Sequence, residues 1–130
     1  MNKNTINQEM QYAYEALKEA NIANKNGEIE KTFRGQISSF GAAVTMGSLL
    51  PAIAFFSKDG GSEVSRSNLM EAVLLVLKKT GAADQSVKSL YDYAYAMVEK
   101  KQEGACREEI LNAAIALKLA MNLYTLVSSK

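Results

Sequence analysis

The residues of this chain that could carry chemistry are its basic side chains. Lys31 and Arg34 are three positions apart, a spacing that places both on one face of a helix. Lys78 and Lys79 are adjacent, and Lys58 ends a long uncharged run. Such cations either complement a helix dipole as solvated charges or contact phosphate, for which the planar guanidinium of arginine is well suited. For Lys31 and Arg34, which we expect mid-helix beside small residues, both interpretations stay open.

Other chemistries have little support in the sequence. Histidine is absent, which removes histidine-based nucleophile pairs and histidine metal sites. The single cysteine, Cys106, excludes an internal disulfide and predicts a reducing, cytoplasmic setting. Its thiol is either activated by a nearby helix N-terminus or, as is commoner for cysteine, simply buried. No loop has the P-loop pattern. We therefore expect no enzyme activity, no cofactor and no metal.

Length and composition predict a single helical domain. The chain has 130 residues, a formal net charge of +1 and one proline, and 48% of its residues are hydrophobic. A near-neutral chain is not a strongly basic, free-standing nucleic-acid binder, although local basic patches could still contact phosphate. Low proline content with many helix-forming residues favours helix throughout. We predict an all-α, compact single-domain bundle covering residues 1–130, with five to six helices and no sheet.

Periodicity and capping signals place six helices along this domain. We predict a first helix that Thr5 caps and that ends at Asn26–Gly27, and a fifth helix that Asp84 caps. In that fifth helix Tyr93 and Tyr95 point away from the apolar face, so at least one tyrosine is expected to be exposed. The predicted ranges of the other four helices are residues 28–46, 48–56, 68–80 and 106–127.

Residues 36–57 carry no formal charge and are long enough to cross a membrane. Their polar residues and glycines favour two helices instead, with Gly47 ending one and Ser48 starting the next. Gly35 and Gly41, inside the first of these helices, predict the close approach of another backbone or helix. The last helix is apolar around most of its circumference, so it lies at the centre of the bundle or is covered by a partner.

Two segments carry a resemblance to a known family. They read K-T-F-R-G-Q-I-S-S-F (residues 31–40) and T-M-G-S-L-L-P-A-I-A-F-F-S-K (residues 45–58). The chain resembles the small subunit of the type III-B (Cmr) CRISPR effector complex, whose members tend to share the features found here at Phe33, Arg34, Gly47, Ala54–Phe55 and Lys58. Many members have leucine after the glycine, where this chain has serine.

The resemblance implies a non-catalytic role in antiviral defence. Small subunits of this family stack along the complex and face the guide RNA and its target, while other subunits perform the chemistry. The implied partners are the other subunits, further copies of the chain, and both RNAs through phosphate contacts, with no membrane and no small-molecule substrate. On this basis Lys31 and Arg34 face the RNA duplex, and Lys58, Lys78 and Lys79 are further RNA-binding candidates.

Two alternatives come from other classes of protein. One is a helical adaptor that binds only protein, in which the basic residues are ordinary surface charges. The other is a small membrane-associated protein, which rests on the uncharged residues 36–57.

Overall fold

The computed structural model describes residues 2–58 and 65–128. In chain order these residues form six α-helices, two three-residue strands and a short 3-10 turn. The elements are α1 (Lys3–Glu19), β1 (Glu28–Glu30), α2 (Lys31–Met46), α3 (Leu49–Phe56), α4 (Arg66–Thr80), α5 (Leu90–Glu99), α6 (Glu103–Ala120), the 3-10 turn (Met121–Leu123) and β2 (Thr125–Val127).

Helix α6 is the central element, as its apolar circumference predicts. It packs against α1, α2, α4 and α5. Its Ile110 and Leu117 are fully buried, together with Leu17 of α1 and Phe40 of α2. The core therefore surrounds α6, and the other helices are held in place mainly by burying their apolar faces on it.

The prediction that the fold contains no sheet is wrong. β1 and β2 pair in parallel, with Ile29 opposite Leu126. Sequence periodicity had assigned both segments to the ends of helices, because three residues are too few to show a strand pattern. Tyr124, which directly precedes β2, attaches this segment to α1. The Tyr14 and Tyr124 rings stack with centroids 4.6 Å apart, and the Tyr124 hydroxyl donates to the Tyr14 carbonyl at 2.6 Å.

The start of α1 lies earlier than the predicted cap. The N-cap is Asn2, whose Oδ1 accepts a hydrogen bond from the Thr5 amide at 3.1 Å, so Thr5 is inside the helix. The Asn2 amide in turn donates to Oδ1 of Asn112 on α6 at 3.0 Å. The beginning of the chain is thereby attached to the central helix.

The junction between α2 and α3 falls at Gly47–Ser48, as predicted. A residue of α6 completes it: Arg107 donates to the carbonyls of Val44 and Gly47 and pairs with Glu103 at 2.7 Å. These bonds satisfy carbonyl groups that a helix C-terminus leaves without intrahelical partners. The uncharged stretch is therefore two helices. None of the helices in the described part of the chain has the length and apolar character needed to cross a membrane.

The close approach predicted at Gly35 and Gly41 is not found among the residues that the structure describes. A Cβ atom added at either glycine would meet no atom within 4 Å. The reason is that α6 packs on another face of α2, the one carrying Phe33, Ile37, Phe40 and Val44.

Glu9 of α1 is a buried carboxylate in this largely apolar packing. Its side chain is 5% exposed, and its Oε1 has no hydrogen-bond partner among the described residues. Burial, reinforced by the like charge of Glu109, raises the pKa of Glu9 from 4.5 to about 7. Glu9 is thus protonated more readily in the folded protein than in the unfolded chain.

This shift predicts a pH-dependent loss of stability. The folded state binds the proton more tightly, so the contribution of Glu9 is present below its unfolded pKa and is lost as pH rises through about 7. Between about pH 5 and about pH 8, the free energy of unfolding of the wild type should fall by about 2 kcal/mol relative to Glu9→Gln. Urea unfolding of both proteins across this range measures it, and parallel profiles would contradict the assignment.

Candidate nucleic-acid interface

Lys31 and Arg34 lie together at the start of α2. The helix begins at Lys31, directly after β1, so Lys31 is its first residue and not a mid-helix one as expected. The positive end of the helix dipole disfavours a cation at this place and favours an anion. Helix stability therefore gives no reason for these cations, whereas binding of an anionic group would.

Helix α6 brings a third cation to this place. Lys31, Arg34 and Lys118 line one open groove of about 460 Å³ on the protein surface. Gly35 and Ser38 of α2 and Leu126 of β2 complete its lining, and no carboxylate is among these lining residues. We call this surface the basic groove. It lies where α2 packs on α6 and where β2, paired with β1, contributes Leu126.

One N–H donor of the Arg34 guanidinium has no hydrogen-bond acceptor among the described residues. Its Nε atom is buried and has no hydrogen-bond partner in the described chain. The neighbouring Ser38 hydroxyl is directed elsewhere, since it donates to the Arg34 carbonyl at 3.1 Å. A buried donor without a partner costs roughly 1–3 kcal/mol. Relief of that cost by a phosphate oxygen would require the Arg34 side chain to move, because Nε is covered in this structure.

The other three sequence-predicted cations lie outside the basic groove. Lys79 pairs with Glu19 at 2.8 Å and with Glu15 at 3.4 Å, so it joins the end of α4 to α1. The pKa of Lys79 is raised, mainly by its hydrogen bond to Glu19. This engagement leaves Lys79 less available for phosphate than a solvated lysine.

Lys78 and Lys58 occupy different surroundings. Lys78 and Lys88 line a separate cavity of about 290 Å³ that also contains the carboxylate of Glu71. Lys58 is exposed at the edge of the described residues. Its carbonyl accepts two bonds from the Arg66 guanidinium, at 2.6 and 3.2 Å. The five predicted residues therefore do not form one surface, and only Lys31 and Arg34 share a groove.

Lys118 is the member of the groove that sequence reasoning missed as a site residue. The sequence does single it out in one respect, because it is one of few polar residues on a largely apolar helix. Its helical position places it on the surface of α6, but only the fold brings it beside Lys31.

Cys106 is fully buried, in agreement with the plainer of its two interpretations. Burial is the main cause that raises the pKa of its thiol to about 12, which disfavours the reactive thiolate. Among residues 2–58 and 65–128, no group of three or more histidine, cysteine or acidic side chains is arranged to hold a metal ion.

Comparison of the chain with protein-family models, with curated proteins and with solved structures finds no match.

The geometry around Lys79 predicts a structural role for this lysine. Lys79→Met should lower the free energy of unfolding by less than about 1 kcal/mol, the usual size for surface ion pairs. Lys78→Met is the matched control and should leave stability unchanged. In a double-mutant cycle with Glu19→Gln, the coupling energy between Lys79 and Glu19 should decrease at high salt, because salt screens exposed charges. Equal losses for the two lysine variants would contradict this role.

Proposed function

We propose that this chain is the non-catalytic small subunit of a type III-B CRISPR effector complex and helps to hold the guide RNA–target RNA duplex. The observation that carries the proposal is the basic groove, in which Lys31, Arg34 and Lys118 line one surface. The resemblance of residues 31–40 and 45–58 to that family supports the same function.

Phosphate contact fits the properties of the groove. Three cations with no carboxylate among the lining residues favour a polyanion, and the N-terminus of α2 adds its positive dipole end. Such contacts position a nucleic-acid backbone without reading its bases. In an RNA-guided complex, base pairing supplies the sequence specificity, so the small subunit needs no base-reading residues.

Partner subunits would cover the apolar side chains that the free chain exposes. Met46, Phe55 and Leu123 are 85%, 62% and 63% exposed. Large exposed apolar residues of this kind are typical of protein interfaces. They fit contacts with further copies of the chain and with larger subunits, and they equally fit the alternative of an adaptor that binds only protein.

Purification of the tagged protein from its native host distinguishes these two functions. The proposal expects large partner subunits together with short RNAs that share a repeat-derived 5′ tag. The purification is done at low salt, because phosphate contacts weaken as salt rises. Protein partners without RNA under these conditions would favour the adaptor and make Lys31 and Arg34 ordinary surface charges.

Charge reversal tests the groove itself. In the assembled complex, Lys31→Glu with Arg34→Glu should weaken retention of the guide–target duplex and reduce its salt dependence by about one to two ion pairs. The matched control is Lys3→Glu with Lys100→Glu, which makes the same change in net charge at two exposed lysines outside the groove. Lys118→Glu should act in the same direction as the groove pair.

Circular dichroism of the free subunits checks that all variants keep their helical content. Equal RNA retention by the groove variant and its control would remove Lys31 and Arg34 from RNA binding.

A further inference from the structure

A second polar cavity lies on another part of the protein, where the start of α1, the end of α4 and the start of α6 meet. Its volume is about 430 Å³. Three of its lining residues are acidic and none is basic. The lining residues are Asn2, Thr5, Glu9, Leu77, Thr80, Ala82, Ala105, Glu108, Glu109 and Asn112. We call it the Glu9 cavity.

Glu9 is the cavity residue whose surroundings indicate a ligand. It is 95% buried, and its Oε1 atom has no hydrogen-bond partner in the described chain. A buried carboxylate oxygen without a donor is costly unless a donor or a cation satisfies it. No basic residue lines the cavity, so within residues 2–58 and 65–128 the fold itself places no cation there.

The other oxygens of the cavity are already oriented. The Tyr93 hydroxyl donates to Oε1 of Glu109 at 2.6 Å. Oδ1 of Asn112 accepts from the Asn2 amide at 3.0 Å, and the Thr80 hydroxyl donates to the Leu77 carbonyl at 2.9 Å. The acceptors best placed for a ligand are therefore the carboxylates of Glu9 and Glu109.

The shape of this acceptor set favours an organic cation over a metal ion. The acidic side chains of the described chain do not converge as a group of three or more that could hold a metal. A primary ammonium group carries a full charge and three N–H donors, so one such group can donate to more than one carboxylate. Leu77, Ala82 and Ala105 add apolar wall to the same cavity for an attached alkyl chain.

We propose that the Glu9 cavity binds a primary alkylammonium group, with Glu9 and Glu109 accepting hydrogen bonds from its nitrogen. The group comes either from a free diamine or from a lysine side chain of a neighbouring protein, because both present the same chemistry. This binding site is separate from the basic groove and does not depend on RNA binding.

Ammonium binding is coupled to the proton on Glu9. Burial and the charge of Glu109 raise the pKa of Glu9 to about 7, so a cation must displace a proton from part of the population near neutral pH. Among the cavity residues the other titratable groups are Glu108 and Glu109 from α6, while the α4 residues contribute none. Tyr93 of α5 contacts Glu109. Affinity should therefore rise as pH increases through about 7.

Calorimetric titration of the full chain with butylamine at about pH 8 tests the site, because Glu9 is then mostly ionised. We expect saturable binding of one amine to the wild type and to Glu99→Gln, an exposed control outside the cavity. Glu9→Gln should weaken binding by about tenfold or more, the usual effect of losing one charge-assisted hydrogen bond. Equal affinity of Glu9→Gln and Glu99→Gln, or no saturable binding up to about 10 mM amine, would overturn the proposal.

Glu109→Gln is the second variant. Its amide oxygen can still accept from Tyr93, so it removes the charge and keeps that contact, and it too should weaken butylamine binding. Unchanged affinity of this variant would overturn the role of Glu109.

A parallel titration with putrescine identifies the source of the ammonium group. Tighter binding of putrescine than of butylamine supports a free diamine, and equal binding supports a single ammonium such as a lysine side chain presents. Displacement of butylamine by an equimolar amount of Mg²⁺ would overturn the proposal in favour of a metal site.

Discussion

The burial of α6 is the constraint on which the rest of the structure depends. This helix has apolar side chains around most of its circumference, so it is stable in water only if other helices enclose it. Helices α1, α2, α4 and α5 do so, each with its own apolar face. Two polar side chains of α6 also bind neighbouring segments. Asn112 accepts a hydrogen bond from the Asn2 amide, and Arg107 donates to carbonyls at the end of α2.

The two short strands contribute to the basic groove on the surface of this helical packing. Pairing of Ile29 with Leu126 brings the segment before α2 beside the segment after α6. The stacked rings of Tyr14 and Tyr124 hold that second segment against α1. Lys118 lines one groove with Lys31 and Arg34, although these cations are far apart in sequence. The packing of α2 on α6 and the pairing of the two strands together determine where three cations of a nearly neutral protein come together.

Local signals predicted the helical class, the junction at Gly47–Ser48 and the common face of Lys31 and Arg34, because each depends on residues within one or two turns. Features set by tertiary contacts were not predictable in this way. The sequence predicts that Tyr93 points away from the apolar face, but Tyr93 is buried and its hydroxyl donates to Glu109 of α6. Tyr95 is half exposed, which agrees with the prediction that at least one tyrosine is exposed. Asp84 accepts from Ser86 in a turn, and α5 begins only at Leu90.

The parallel strand pair also has a consequence for the order of events during synthesis. β1 is made early, but its partner β2 lies almost one hundred residues further along the chain. Closing so long a loop carries an entropic cost, which the packing of the intervening helices must already have reduced. Helix α6, on which the other helices pack, ends only a few residues before β2. The core and the strand pair are therefore both completed late in synthesis, after most of the chain has been made.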